Sequence, residues 1–147
     1  MRAACYTMAI LGAALVSADA SPTLARQSQP PAPILKPLLQ TQTTVSGQPL
    51  KLPPAAAELT ATIVTIAPGG ATPIHRHPWS RFAYVEQGPL RLINHATGKT
   101  VDFQSGSVIV ESVGQWHEGR ALGPKPAKLI VFDLAPPGAA TTEPQHR

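Results

Sequence analysis

The stretch GGATPIHRHPWSRFAYVEQG, Gly69–Gly88, places two histidines one residue apart between glycine turns. On extended backbone, residues i and i+2 share a face, so His75 and His77 would present both imidazoles to one side. A divalent cation can bridge such a pair. The same spacing also suits a solvated pair flanking a turn. Arg81, at the start of the strand that follows, has no acceptor and cannot ligate a cation. The reading of this stretch therefore depends on what the rest of the chain brings beside it.

On either side the chain reads as short strands. ELTATIVTIA, Glu58–Ala67, alternates Leu59, Ala61 and Ile63 against Thr60, Thr62 and Val64 and ends at the turn PGG. Further strands are predicted over 38–45, 49–52, 82–86, 90–94, 100–103, 107–111, 116–120 and 128–134, separated by Gly, Pro and Asn-rich turns. Turn signals at this close spacing point to an antiparallel sandwich or barrel. No long segment beyond the N-terminal apolar run shows a helical apolar period. The fold class is all-β, with few or no helices.

A third histidine changes the weight of the first two. His117 follows GSVIVESVGQWH, Gly106–His117, a strand and turn that return the chain to the sheet. The two glycine-and-histidine blocks resemble those of the cupin superfamily, in particular its small single-domain bacterial members of the Cupin_2 kind, over roughly Leu38–Leu134. The first family block reads G-x5-H-x-H-x3,4-E-x6-G, and this chain departs from it only at the glutamate, where Arg81 or Phe82 stands. The second reads G-x5-P-x-G-x2-H-x3-N, with Ser112 here for the proline and Ala121 for the asparagine. The resemblance implies a double-stranded β-helix, a jelly-roll-like barrel, with a divalent metal held by His75, His77 and His117. Without the family glutamate the metal's identity is open. Iron and zinc come first, and manganese, copper and nickel also suit imidazole donors.

Arg81 then has three readings: turned outward while Phe82 and Tyr84 face in, paired inside with Glu86, Glu111 or Glu118, or holding an anionic ligand with its planar fork. Glu111 and Glu118 bracket the second block. Each reads as a solvent-facing carboxylate or as a partner that orients a histidine or acts as a base, and Glu111 and Arg81 are the candidate catalytic pair. Trp79 and Trp116, next to the block histidines, suit packing or the wall of a pocket. His95 and His146 read as solvated side chains.

The 147 residues suffice for one domain over 34–135. Residues 1–20 have the layout of a secretory signal peptide: Arg2, the apolar Met8–Val16, then Ala18-Asp19-Ala20. That predicts a periplasmic or secreted protein with no stable membrane insertion after cleavage. The one cysteine, Cys5, lies in this segment, so neither disulfides nor thiol chemistry belong to the mature chain. A Pro/Ser/Gln-rich leader is expected over 21–33 and a flexible tail over 136–147. The net charge of +4 is scattered and aromatics are 5%, which argues against a nucleic-acid partner. The expected partners are a small-molecule ligand and a second copy, with 38–45 pairing across a homodimer. The function classes that survive are a metal-dependent enzyme on a small organic substrate, dioxygenase-like or a lyase or isomerase, and a non-catalytic cupin that binds a metal or a small acidic ligand.

Overall fold

The structure, a computed structural model, describes residues 30–53 and 56–145. The expected signal peptide over 1–20 and Cys5 lie outside the described residues, as does His146. The chain divides into two units, Met1–Ile34 and Leu35–Arg147, and every strand among the described residues belongs to the second.

The alternation in 58–67 becomes β1 (Glu58–Ile66), a nine-residue edge strand. It is followed by β2 (His75–Arg76), β3 (Ser80–Gln87), β4 (Leu90–Asn94), β5 (Thr100–Phe103), β6 (Val108–Val110), β7 (His117–Ala121), β8 (Ala127–Ala135) and β9 (Glu143–Pro144). No helix occurs among the described residues. The strands form two antiparallel sheets, β1-β8-β3-β6 and β5-β4-β7-β2-β9. This is an all-β architecture of the double-stranded β-helix type.

The core lies between the sheets. Ala83, Val85, Ile109, Leu129 and Val131 come from the first sheet, and Leu90 and Ala121 from the second. Burying each of the larger aliphatic side chains contributes about 1.5–3 kcal/mol. Period-two alternation puts Leu129, Val131 and Asp133 of β8 on the same inner face, and on β3 it puts Arg81, Ala83 and Val85 there. Phe82 and Tyr84 therefore take the outer face of β3, which removes the one of the three readings of Arg81 that turned it outward and them inward. Sequence parity alone cannot choose between two apolar faces, and here the small Ala83 and Val85 fill the narrow interior.

Two segments differ from expectation. Residues 38–45 and 49–52 form no strands. Gly47 (φ 93°) turns the chain within a few residues, leaving one bridge, Thr43 to Pro49. The 136–145 segment contains a strand where composition suggests a tail. Gly138 (φ 74°) reverses the chain after β8, and β9 then pairs with β2, Arg76 opposite Glu143 and His75 opposite Pro144.

Candidate metal centre

His75 and His117 are directly opposite each other in the β2–β7 ladder. Gly114 (φ 69°) makes the turn that leads into β7, and its amide donates to the His77 carbonyl at 2.7 Å. These contacts gather the three rings, with centroids 4.8, 4.5 and 4.9 Å apart. Glu111 joins them from the end of β6. One ligand atom from each of His75, His77, Glu111 and His117 lies within 4.8 Å of the others, so the group can hold a metal ion. His77 is 0%, His117 1% and Glu111 7% exposed, while His75 is half-buried.

The outer nitrogens of the rings fix their tautomers. Nδ1–H of His75 donates to the Pro73 carbonyl at 2.7 Å, that of His77 to Thr141 at 2.9 Å, and that of His117 to Gln115 at 2.8 Å. A carbonyl can only accept, so each Nδ1 carries the proton and each neutral ring keeps an Nε2 lone pair. Two of those atoms, His117 Nε2 at 3.0 Å and His77 Nε2 at 3.1 Å, face the same oxygen, Oε2 of Glu111. His77 Nε2 is off hydrogen-bonding alignment and is a buried nitrogen without a hydrogen-bond partner. Lone pairs against a buried carboxylate repel unless a positive charge lies among them. A proton supplies it at His117. A divalent ion would satisfy all four donors at once, and the oxygen-and-nitrogen set fits such an ion.

The ionisation follows the same geometry. Burial alone would raise the Glu111 carboxyl, but the hydrogen bond from His117 and the close approach of the His77 ring outweigh it and hold it below the usual carboxylate range. Burial works to lower His117, yet the contact with Glu111 leaves it raised. His75 falls to about 4, mainly through burial and secondarily through His117 and His77, with the Pro73 hydrogen bond opposing.

Arg81 faces inward, but none of its anticipated acidic partners holds it. Its Nε and Nη2 grip Asp133 at 2.6 and 2.9 Å, directly across the β3–β8 ladder, and Nη2 also donates to Thr142 Oγ1 at 2.9 Å. The Glu111 amide donates to the Arg81 carbonyl at 2.9 Å. Asp133, Arg81 and Glu111 thus form one row across the inner face. Asp133 was missed in the sequence, although a lone acid in the apolar strand KLIVFDLA was a visible signal. Glu118 is buried outside the cluster, bound to Arg120 at 2.8 Å and 3.5 Å from His95. Trp116 takes the Arg76 guanidinium over its ring at 4.7 Å. Trp79 lines a groove of about 460 Å³ with Lys51, Leu52 and Pro78. The cavity at the cluster, walled by Val64, Leu90 and Leu129, measures about 40 Å³.

A double-stranded β-helix with three histidines and a carboxylate gathered inside it is similar to the cupins. Residues 62–133 match the Cupin_2 family, a cupin domain, and this match with the fold supports the cupin superfamily. Among solved structures, an uncharacterised conserved protein with a double-stranded β-helix domain from Klebsiella pneumoniae is 21% identical, with 60% of this chain and 76% of that one covered at TM-score 0.50. A structure described with the DMSP lyases RdDddP and RnDddQII is 16% identical, covering 60% and 44%, at TM-score 0.51. Both show the fold. The oxalate decarboxylase of Lactobacillus farciminis is 29% identical at TM-score 0.48, over 58% of this chain, which spans 26% of that protein's length. No curated protein matches the chain.

Proposed function

We propose that the domain holds one divalent metal ion on His75, His77, His117 and Glu111 and uses it on a small organic molecule. The buried, unpartnered His77 Nε2, aimed at a carboxylate beside two more imidazoles of the same tautomer, carries this reading. Iron and zinc are the first candidates, since imidazole and carboxylate suit both. Bound there, the ion would supply Lewis acidity to a carbonyl or enolate oxygen, the chemistry of a lyase, isomerase or dioxygenase-like enzyme. Glu111 is then a ligand in place of the family glutamate and not a free base. Arg81 braces the wall through Asp133, a positioning residue.

Metal analysis of untagged protein tests the centre: one equivalent in the natural chain and none in His75→Ala/His117→Ala. Metal that persists in the double variant would overturn it. Turnover is tested with iron- and zinc-loaded protein on diketones, phenolics and small hydroxy acids, following oxygen uptake and product. The second reading, a binder without turnover, is favoured by the cavity of about 40 Å³, room for about three waters. It holds if the loaded protein binds a small anion such as formate yet converts none of the panel.

We further propose export to the periplasm or beyond, on the strength of residues 1–20, and a homodimer. The outer face of the four-stranded sheet leaves Leu59 63%, Ile63 62% and Phe132 37% exposed, and Leu38 and Leu39 lie uncovered on the same unit. A second copy laying 38–45 against that face would bury both. Sedimentation of the natural chain and Ile63→Lys distinguishes dimer from monomer.

A further inference from the structure

Beyond the four clustered side chains, the segment 141–145 bonds the site from outside. The Thr141 carbonyl accepts from His77 Nδ1 at 2.9 Å, and Thr142 Oγ1 lies 3.4 Å from the same nitrogen while accepting from Arg81 at 2.9 Å. Glu143 pairs with Arg76 at 2.7 Å, and the Gln145 amide donates to the Ile74 carbonyl at 2.9 Å. One five-residue strap therefore touches His77, Arg76 between the two block histidines, and the arginine beside Glu111. Within it, β9 is the edge strand of its sheet, two residues long, and among the described residues the strap's one ion pair is 41% exposed on each side. Edge segments with few, solvated bonds open at far lower free energy than core strands.

Under this strap His77 is fully buried, with its Nδ1 bonded to the strap, whereas the small cavity at the cluster is lined by His75, Arg81, Glu111 and His117. From these contacts we infer that the strap Thr141–Gln145 is the gate of His77: docked, it sets the ring for ligation, and its release exposes the ring and frees it to let go of the ion. The Arg76–Glu143 pair is the latch. Arg76 is held in place from its other side by Trp116, so the latch has one fixed and one mobile half.

The metal-exchange part of this inference rests on the metal reading above, whereas the accessibility part does not. Two measurements on full chains separate them. In zinc-loaded protein, transfer of zinc to excess chelator is expected to be about tenfold faster in Glu143→Arg, where a solvated pair becomes a repulsion, and near the natural rate in Arg76→Glu/Glu143→Arg. In metal-free protein, carbethoxylation of His77 by diethyl pyrocarbonate, read by peptide mass spectrometry, should follow the same order, with the melting midpoint unchanged. Thr142→Val, which leaves the latch intact but removes a bond to Arg81, should speed both about threefold. Natural-chain rates of both release and labelling in Glu143→Arg would overturn the gate. Should the natural chain bind no stoichiometric zinc, the metal reading fails and His77 labelling alone decides the gate.

Discussion

The two glycine-and-histidine blocks contribute unequally to one site. Gly69–Gly88 supplies two imidazoles and then an arginine, while Gly106–Ala121 supplies one imidazole and, six residues before it, a carboxylate. Arg81 and Glu111 lie opposite each other on adjacent antiparallel strands, joined through the Arg81 carbonyl and the Glu111 amide. Residues opposite each other in such a ladder point to the same face and sit within about 5.5 Å. A carboxylate can therefore cross from one strand to its neighbour and still reach the same centre. The vacated position then holds a cation that needs its own acid, which β8 provides as Asp133.

The sharpest way to break this comparison is Glu111→Gln. If the second block carries the carboxylate, zinc affinity falls by more than about 100-fold, beyond the 10- to 100-fold typical of losing a ligand's hydrogen-bonding partner. Competition with a chromophoric chelator measures it, and unchanged affinity would return the centre to three histidines. Next comes Arg81→Ala, which leaves Asp133, 5% exposed at its side chain, without a counter-charge. Breaking a buried pair this way costs about 3–5 kcal/mol, read by denaturant unfolding, and a loss below about 1 kcal/mol would mean water reaches the row.

Acidification gives a graded effect. The proton shared by His117 and Glu111 is held above the ordinary histidine range, and an ion must displace it. Binding then releases a proton, so zinc affinity rises with pH and drops by about tenfold per unit for each proton exchanged as pH falls. Titrations across the neutral range check the slope, and a flat profile would exclude the displaced proton. The smallest effect is expected at Asp102→Asn. Arg91 grips Asp102 with the same two-bond fork at 2.7 Å, but each side chain is 41% exposed. Water screens this pair, so its loss should leave the melting midpoint where it is. Against Arg81→Ala, that contrast isolates burial from bonding geometry.

Much of the fold was legible because turns and period-two alternation are local properties. The strands at 58–66, 90–94 and 100–103 follow directly from them. The faces of β3 were not legible. Phe82 and Tyr84 are as apolar as Ala83 and Val85, and only the space between two sheets decides which pair fits. The strap was hidden for a different reason: TTEPQ has too little apolar content to register as a strand, and β9 exists because β2 offers it an edge. At the centre, the three histidines stood out through the spacing of their blocks, whereas Glu111 read more readily as a solvated acid.

What the sequence by itself determined is the set of ingredients: an all-β chain, its turns, and three imidazoles on two glycine-bounded blocks. Residue type and spacing along one chain settle those, since they depend on backbone alternation and on the donors that each side chain carries. The tertiary structure alone decided the neighbours across the ladders. It brought Glu111 to the histidines, gave Arg81 to Asp133, and laid Thr141 and Thr142 over His77. Those pairings join residues up to 65 positions apart, and strand register, a property of the assembled sheets, selects them.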